Sequence, residues 1–334
     1  MLTMKHATTP PLTALLLSAA CMAARADDLA PIDFSAIAGP IIHRGDRTTA
    51  YRDPAAHWHD GTFRVFHTLH RRESDGHYYV TMAVTRSTDL VRWTPSRVLT
   101  PRDLRLNYSS PGNVVRAGGQ WVLCLQTYPT PGDETFGTAD ARIWTMRSDD
   151  LQRWSEPELL RVKGPDVARG QMGRMIDPYL LRDRLNPARW WCFYKQRGMS
   201  MSYSDDGMKT WTFHGRTPCG ENVCVLVEKD RYLVFHSPAN GVGLKATGDL
   251  EHFEDLGLFT LGQQSWPWAS GRLTAGHVLD LRAEPRVGKY LMFFHGSSKA
   301  GLAQHRAHGH GTLALAWSDD LKTWHWGGQA GAAQ

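Results

Sequence analysis

One short phrase recurs five times along the chain and limits the folds open to it more than any other feature. Its copies are Ser87-Thr88-Asp89-Leu90-Val91-Arg92-Trp93, Ser148-Asp149-Asp150-Leu151-Gln152-Arg153-Trp154 and Ser204 to Trp211 with one extra residue, then the degenerate Thr247 to Phe253 and finally Ser318 to Trp324. The closing aromatics fall 61, 57, 42 and 71 positions apart. Self-similarity at about 40–50 residues marks arrays in which each unit is one supersecondary element unable to bury its own face alone. The somewhat longer spacing here leaves room for long loops. Each copy reads as a turn in which Ser and Asp bond the local backbone and the aromatic anchors the turn to nearby strands.

The residues ahead of each phrase divide alike. In the first unit Asp53 to His59 reads as a strand, Asp60-Gly61 as a hairpin turn, Thr62 to Leu69 as the return and His77 to Thr85 as a third strand. The corresponding first strands are Gly112 to Arg116, Ile176 to Arg182, Glu221 to Glu228 and Thr274 to Arg282. A fourth, outer strand follows each aromatic. The expectation is an all-β, five-bladed β-propeller with four antiparallel strands per blade and a central funnel. It occupies residues 51–328, with 27–50 as an N-terminal segment whose stretch Ile32 to Ile42 clasps the ring and 329–334 as a tail. Length alone would suggest two domains, but all-β units of this size fold as one.

Residues 1–26 read as an export leader. Lys5 and His6 precede an apolar run from Leu12 to Ala24, and Ala24-Arg25-Ala26 supplies small residues where a signal peptidase reads. Anchoring through an acylated Cys21 is disfavoured because Ser18 stands where an aliphatic residue is usual. The expected location is periplasmic or extracellular, and no stretch is long enough to span a bilayer. Losing Lys5 and Arg25 takes the net charge from +5 to +3. No basic stripe interleaved with aromatics accompanies it, which argues against a nucleic-acid partner. Cys124, Cys192, Cys219 and Cys224 remain, with three full disulfide pairings open. Buried thiols are the default for Cys124 and Cys192 in their apolar strands.

Propeller geometry brings the start of each first strand and the end of each second strand to one rim. The starts are Asp53, Ser110-Pro111-Gly112, Asp177, Glu221 and His277; the ends are His67, Gln126 with Thr127, Lys195 with Gln196, His236 and His295. Three carboxylates from three blades therefore converge on the funnel. Glycosidic cleavage needs one carboxyl to protonate the leaving oxygen and another to act from the opposite side of the anomeric carbon. A third keeps the acid protonated through like-charge coupling. The repeated aspartates at 89, 150, 206, 249 and 320 are structural, and Glu228 and Glu284 are turn residues. Trp266 and Trp268, in a loop with no periodic surroundings, are expected as a sugar platform. Arg52, His67, Gln126, Lys195, His236, His277 and His295 are the other expected substrate contacts. The cluster His305, His308 and His310 is expected to be a solvated glycine-rich loop.

At these positions the chain resembles family 43 glycoside hydrolases and their five-bladed clan relatives. Tyr51-Arg52-Asp53-Pro54 resembles the motif of the general base, Met175-Ile176-Asp177-Pro178 that of the residue tuning and orienting the acid, and Gly220-Glu221-Asn222-Val223 the segment opening with the general-acid Glu. Asn222 and Val223 replace the Gly-Pro usual in that segment. Thr274-Ala275-Gly276-His277 resembles the last-blade segment whose His faces the channel beside a metal or water. The resemblance spans about residues 45–326. It implies a secreted, inverting hydrolase of arabino-, xylo- or galacto-configured sugars in plant-type polysaccharides. No cofactor is required on that reading, and a structural Ca2+ near His277 is the one metal it raises.

Rival readings share the architecture. A fructan or sucrose hydrolase needs a Trp-Met-Asn-Asp-Pro type nucleophile motif, which is absent. Ser204 to Trp211 matches the Asp box of sialidases, but those use six blades and an arginine triad. An anhydrogalactosidase or a phosphorylase stays open, the latter with Lys195 and Arg197 as its phosphate contacts. A non-catalytic sugar-binding propeller is disfavoured by the survival of all three carboxylates. Oligomeric state has no signature in the sequence.

Overall fold

The computed structural model describes residues 30–329. The leader at 1–26, Cys21 and most of the tail lie outside them. The chain forms five antiparallel sheets. After a short strand β1 (Ile41–His43), the first blade comprises β2 (Thr49–His59), β3 (Thr62–Arg72), β4 (Tyr78–Ser87) and β5 (Arg97–Val98). The second has its inner strand in two pieces, β6 (Tyr108–Ser109) and β7 (Val114–Ala117), then β8 (Gln120–Thr127), β9 (Ile143–Ser148) and β10 (Glu158–Leu159).

The third blade is β11 (Ile176–Arg182), β12 (Trp190–Lys195), β13 (Met199–Ser204) and β14 (Thr212–Thr217). The fourth is β15 (Glu221–Val227), β16 (Tyr232–Ser237), β17 (Val242–Thr247) and β18 (Glu254–Phe259). The fifth has β19 (Arg272–Leu281), β20 (Lys289–Ser297), a one-turn helix α1 (Lys299–Leu302), β21 (Thr312–Ser318) and β22 (Trp324–His325). Its outer edge is shared: β1 pairs with β21 at Ala314 and Leu313, while β22 pairs at Trp317 and Ser318. Strands from both ends of the described chain thus meet on one blade. The fold is a five-bladed β-propeller.

The repeated phrase forms five matching turns. In each, the leading Ser or Thr oxygen accepts the amide of the residue at the fourth or fifth position: Leu90, Leu151, Met208, Leu250 and Leu321, at 2.8–2.9 Å. The Asp carboxylate accepts amides further on, such as those of Arg92, Arg153, Lys209, His252 and Thr323. Every one of those apolar residues sits at positive φ, from 58° to 71°. A left-handed leucine is strained by about 1–2 kcal/mol. Burial of the side chain offsets the strain, and Leu90, Leu151 and Leu250 are almost fully covered.

Apolar side chains fill the gaps between blades. Phe66, Val84, Leu123 and Leu125 pack between the first and second. Val122, Leu180, Cys192 and Tyr194 pack between the second and third. Phe193, Val234, Phe235, Met292 and Phe294 run through the third, fourth and fifth. Val65, Phe293 and Leu315 join the fifth to the first. All four cysteines of the described chain are free thiols, Cys124, Cys192 and Cys224 fully buried. Among the described residues no helix is long and apolar enough to cross a membrane.

Candidate active site

A second repeated device shapes the rim. Each inner strand bulges where one residue turns to positive φ: Asp53 (48°), Ser110 (40°), Asp177 (51°), Asn222 (51°) and Ala275 (56°). In four blades the register shifts across this point, between Arg52 and Ala55, Ile176 and Tyr179, Glu221 and Cys224, and Thr274 and His277. A bulge adds one residue to one strand and re-aims the side chains around it. Asp and Asn tolerate the left-handed region better than other non-glycine residues. Asn222 therefore suits the place where a glycine would be least strained. Glu221 stands one residue before the bulge, unlike Asp53 and Asp177, which occupy it.

The register also decides which second-strand residues reach the rim. Opposite Arg52, Ser109, Ile176, Glu221 and Thr274 lie Thr68, Gln126, Lys195, Ser237 and His295. Four of these five link neighbouring blades by accepting the amide of the next blade's bulge residue. His295 Nδ1 accepts from Asp53 N at 3.1 Å, Thr68 Oγ1 from Ser110 N at 2.8 Å, Gln126 Oε1 from Asp177 N at 2.5 Å and Ser237 Oγ from Ala275 N at 2.8 Å. The ring is open only at the third blade, where Lys195 has nothing but donors. Its Nζ donates to Cys219 O at 3.3 Å instead.

Above the ring lies a cavity of about 360 Å3 that takes residues from all five blades. Asp53, Asp177 and Glu221 line it together, with Arg52, Gln126 and His295. Asp53 Oδ2 accepts Thr68 Oγ1 at 3.0 Å, and Ser110 Oγ donates to Asp177 Oδ1 at 2.9 Å. Burial alone would raise the Asp53 carboxyl. The Arg52 charge, which leads the opposing influences, and the hydrogen bond from Thr68 outweigh it and hold the group below the usual carboxylate range. Asp177 moves the other way. Burial, then the charges of Glu221 and Asp53, push it up to about 7. Burial also holds His295 neutral, its pKa lowered to about 3, so its approach to Asp53 Oδ1 at 3.8 Å is not an ion pair. Two carboxyl groups with opposite protonation tendencies thus share one site.

Six expected contacts lie outside this cavity: Lys195 lines the adjoining grooves, His277 lies deeper, and one corrected register explains His67 and His236 among the other four. His67 and His236 follow Phe as His295 does, but Thr68 and Ser237 hold the equivalent rim places. A shift of one residue turns a strand side chain to the opposite face. His67 is fully buried, near the rings of Tyr51 and His43 and 2.9 Å from Ser96 Oγ. His236 accepts the Gly220 amide and lines a neighbouring groove with Lys195. Trp266 and Trp268 stack on each other at 5.2 Å and on Phe294, with Trp326 edge-on, and neither lines the cavity. Packing against that core cluster takes the faces a sugar would need.

His277 sits deeper than the rim because β19 begins at Arg272. It lines a space of about 10 Å3 beneath Asp53 and Asp177, about one water's worth. Burial takes its pKa down to about 4. Among the described residues no three His, Cys, Asp or Glu side chains gather as metal ligands. Calcium takes six to eight oxygens, and the side chains here do not supply such a set.

Other residues enter the cavity without a sequence signal. His308, expected in a solvated loop, stacks on His70 at 4.0 Å with its Nδ1 2.9 Å from Arg52 Nη1. Arg174 lies over the Tyr128 ring, and Arg272 projects from the fifth blade. Loop 129–141 of the second blade reaches the fifth blade's insertion across the mouth. There Asp133 pairs with Arg306, and Phe136 lies 5.8 Å from the His305 ring. These two loops wall one side of the cavity.

No family model matches the chain, and no curated protein matches it. Solved structures do. A family 43 β-xylosidase/α-arabinofuranosidase from a compost microbial metagenome, solved with xylotriose in a calcium-free form, is 12% identical over 83% of this chain and 95% of its own, with a TM-score of 0.56. A GH43_1 enzyme from Xanthomonas citri complexed with xylotriose is 12% identical, covering 83% of this chain and 89% of its own at a TM-score of 0.55. A family 117 glycoside hydrolase produced by the marine bacterium Zobellia galactanivorans is 13% identical, covering 90% and 88% at a TM-score of 0.59. What they share with this chain is the fold. At such identities the site's chemistry has to be argued from its own residues.

Proposed function

We propose that this protein is a glycoside hydrolase that cleaves O-glycosidic bonds of arabino-, xylo- or galacto-configured poly- or oligosaccharides with inversion. The observation that carries the reading is the pairing of a carboxylate held ionised, Asp53, with a carboxyl raised to about 7, Asp177, in one cavity with Glu221. An ionised Asp53 is fit to take the proton of a water attacking the anomeric carbon. Glu221, on the flank where the cavity opens into neighbouring grooves, is placed to protonate the departing oxygen. Asp177 sits beside it as the group whose shared proton and charge tune that acid. Residues 1–26 read as an export leader, which suits an enzyme meeting polysaccharide outside the cytoplasm.

The test is hydrolysis of aryl arabinofuranosides, xylosides and galactosides by the wild type, Asp53→Asn and Glu221→Gln. Proton NMR of the first product anomer then separates inversion from retention. Full activity in either variant overturns the assignment. Oligosaccharide binding without cleavage of any substrate would make the propeller a binding module.

A further inference from the structure

Glu221 opens on its third-blade side into a groove of about 520 Å3 that the catalytic reading leaves unused. Lys163, Arg174, Lys195, Arg197 and Arg216 line it, and Glu221 is its single acidic side chain. They come from separate segments: the connection after β10, the loop before β11, the end of β12, the β12–β13 turn and β14. Among the described residues none of the five forms an ion pair. Elsewhere on the surface several cations do pair with an acid, as Arg189 with Asp205 and Arg282 with Asp280 illustrate. Burial and the charges of Arg216 and Arg197 depress the Lys163 ammonium, so the cluster repels itself. A folded chain that gathers five unneutralised cations in one concave place loses stability by doing so, and a bound anion restores it.

The rim ring supplies a second, independent sign. Every other blade spends its rim residue on the next blade's amide, whereas the third blade places a lysine there. An ammonium cannot accept that amide, so Lys195 donates to the Cys219 carbonyl instead and its charge remains at the groove next to Glu221. The groove lies on the acid's side of the cavity, away from Asp53. On the proposed mechanism that is the side of the departing sugar.

We propose that this groove binds the anionic part of an acidic saccharide, a carboxylate or sulfate carried by the leaving-group portion of the substrate. Arginine forks suit both anions in paired hydrogen bonds, and the lysines add point charge. The location on the leaving-group side rests on the glycosidase reading; the anion preference does not.

The experiment is therefore binding, read by calorimetry with the full chain. The probes are a uronate-containing oligosaccharide, its carboxyl-reduced counterpart and a sulfated oligosaccharide of equal length. The wild type is expected to bind an acidic probe at least tenfold tighter than the neutral one, with affinity falling as salt rises. The two acidic arms tell carboxylate from sulfate. Lys163→Ala/Arg216→Ala is expected to erase that preference, Lys163→Arg/Arg216→Lys to retain most of it, and the distant pair Arg92→Ala/Lys322→Ala to leave it intact. Equal affinity for acidic and neutral probes, or a preference that survives the alanine pair, overturns the proposal. Release of a sugar phosphate when inorganic phosphate is added also overturns it, in favour of phosphorolysis. Acidic binding without hydrolysis of any glycoside would sink the catalytic reading and leave the groove's ligand class standing.

Discussion

The backbone amide of Asp53, in the first blade, donates to Nδ1 of His295, in the fifth, at 3.1 Å across the seam where the ring closes. The bond ties the proposed base to the blade joined by both ends of the described chain. Arg52 reaches the same ring, its Nε 3.3 Å from Nε2, and supplies the main charge that keeps Asp53 ionised despite burial.

Removing Arg52 should therefore raise the Asp53 pKa. In Arg52→Met the acid limb of kcat/KM is expected to move to higher pH, with activity at alkaline pH less affected. Asp53→Asn removes the base altogether and is expected to lower kcat by about 10²–10⁴-fold with a smaller change in KM. Steady-state kinetics from pH 4 to 9 measure both, and an unmoved acid limb in Arg52→Met would disconnect Arg52 from Asp53.

Asp177 carries a pH dependence of opposite sign. Its folded-state pKa, about 7, lies above the ordinary 3.8. The folded protein thus holds a proton that the unfolded chain has released, and stability falls as pH rises through that window. Asp177→Asn carries no charge there. It is expected to raise Tm above pH 7 while lowering kcat. Thermal unfolding at pH 5 and pH 8 decides this: the gain should appear at the higher pH and shrink at the lower.

Glu221→Gln separates acid catalysis from binding. A leaving group that departs without a proton, such as dinitrophenolate, should be released by this variant far better than an alkyl or sugar leaving group. Comparable losses on both would remove Glu221 from the acid's role.

The turns offer a stability test far from the site. Ser148 is buried and its Oγ accepts the Leu151 amide at 2.9 Å. Ser148→Ala leaves that donor without its partner and is expected to destabilise the fold by about 1–2 kcal/mol, with KM unchanged. Urea unfolding together with aryl glycoside kinetics would check both halves.

Much of this architecture was legible because its signals are local. The five turns close within seven or eight residues through Ser and Asp side chains, so their spacing counts blades without knowledge of how the blades pack. Asp53, Asp177, Glu221, Gln126 and His295 were likewise placed by counting strands. Other residues were illegible for reasons of register and distance. Phe66-His67 and Phe235-His236 look like Phe294-His295, yet the pairing of Thr68 with Arg52 and Ser237 with Glu221 puts both histidines on the wrong face. Trp266 and Trp268 looked free for a sugar because the aromatic partners that cover them, Phe294 and Trp326, come later in the chain.

The sequence by itself determined the number of blades, the strand order within them and the three carboxylates, because each depends on neighbours a few residues away. Only the tertiary structure decided what surrounds those carboxylates. The inner-strand bulges change which side chains face the funnel, and a bulge is visible only against its partner strand. His308 meets Arg52 from 256 positions away, and five cations from separate segments meet beside Glu221. Contacts of that range follow from ring closure, which no local pattern records.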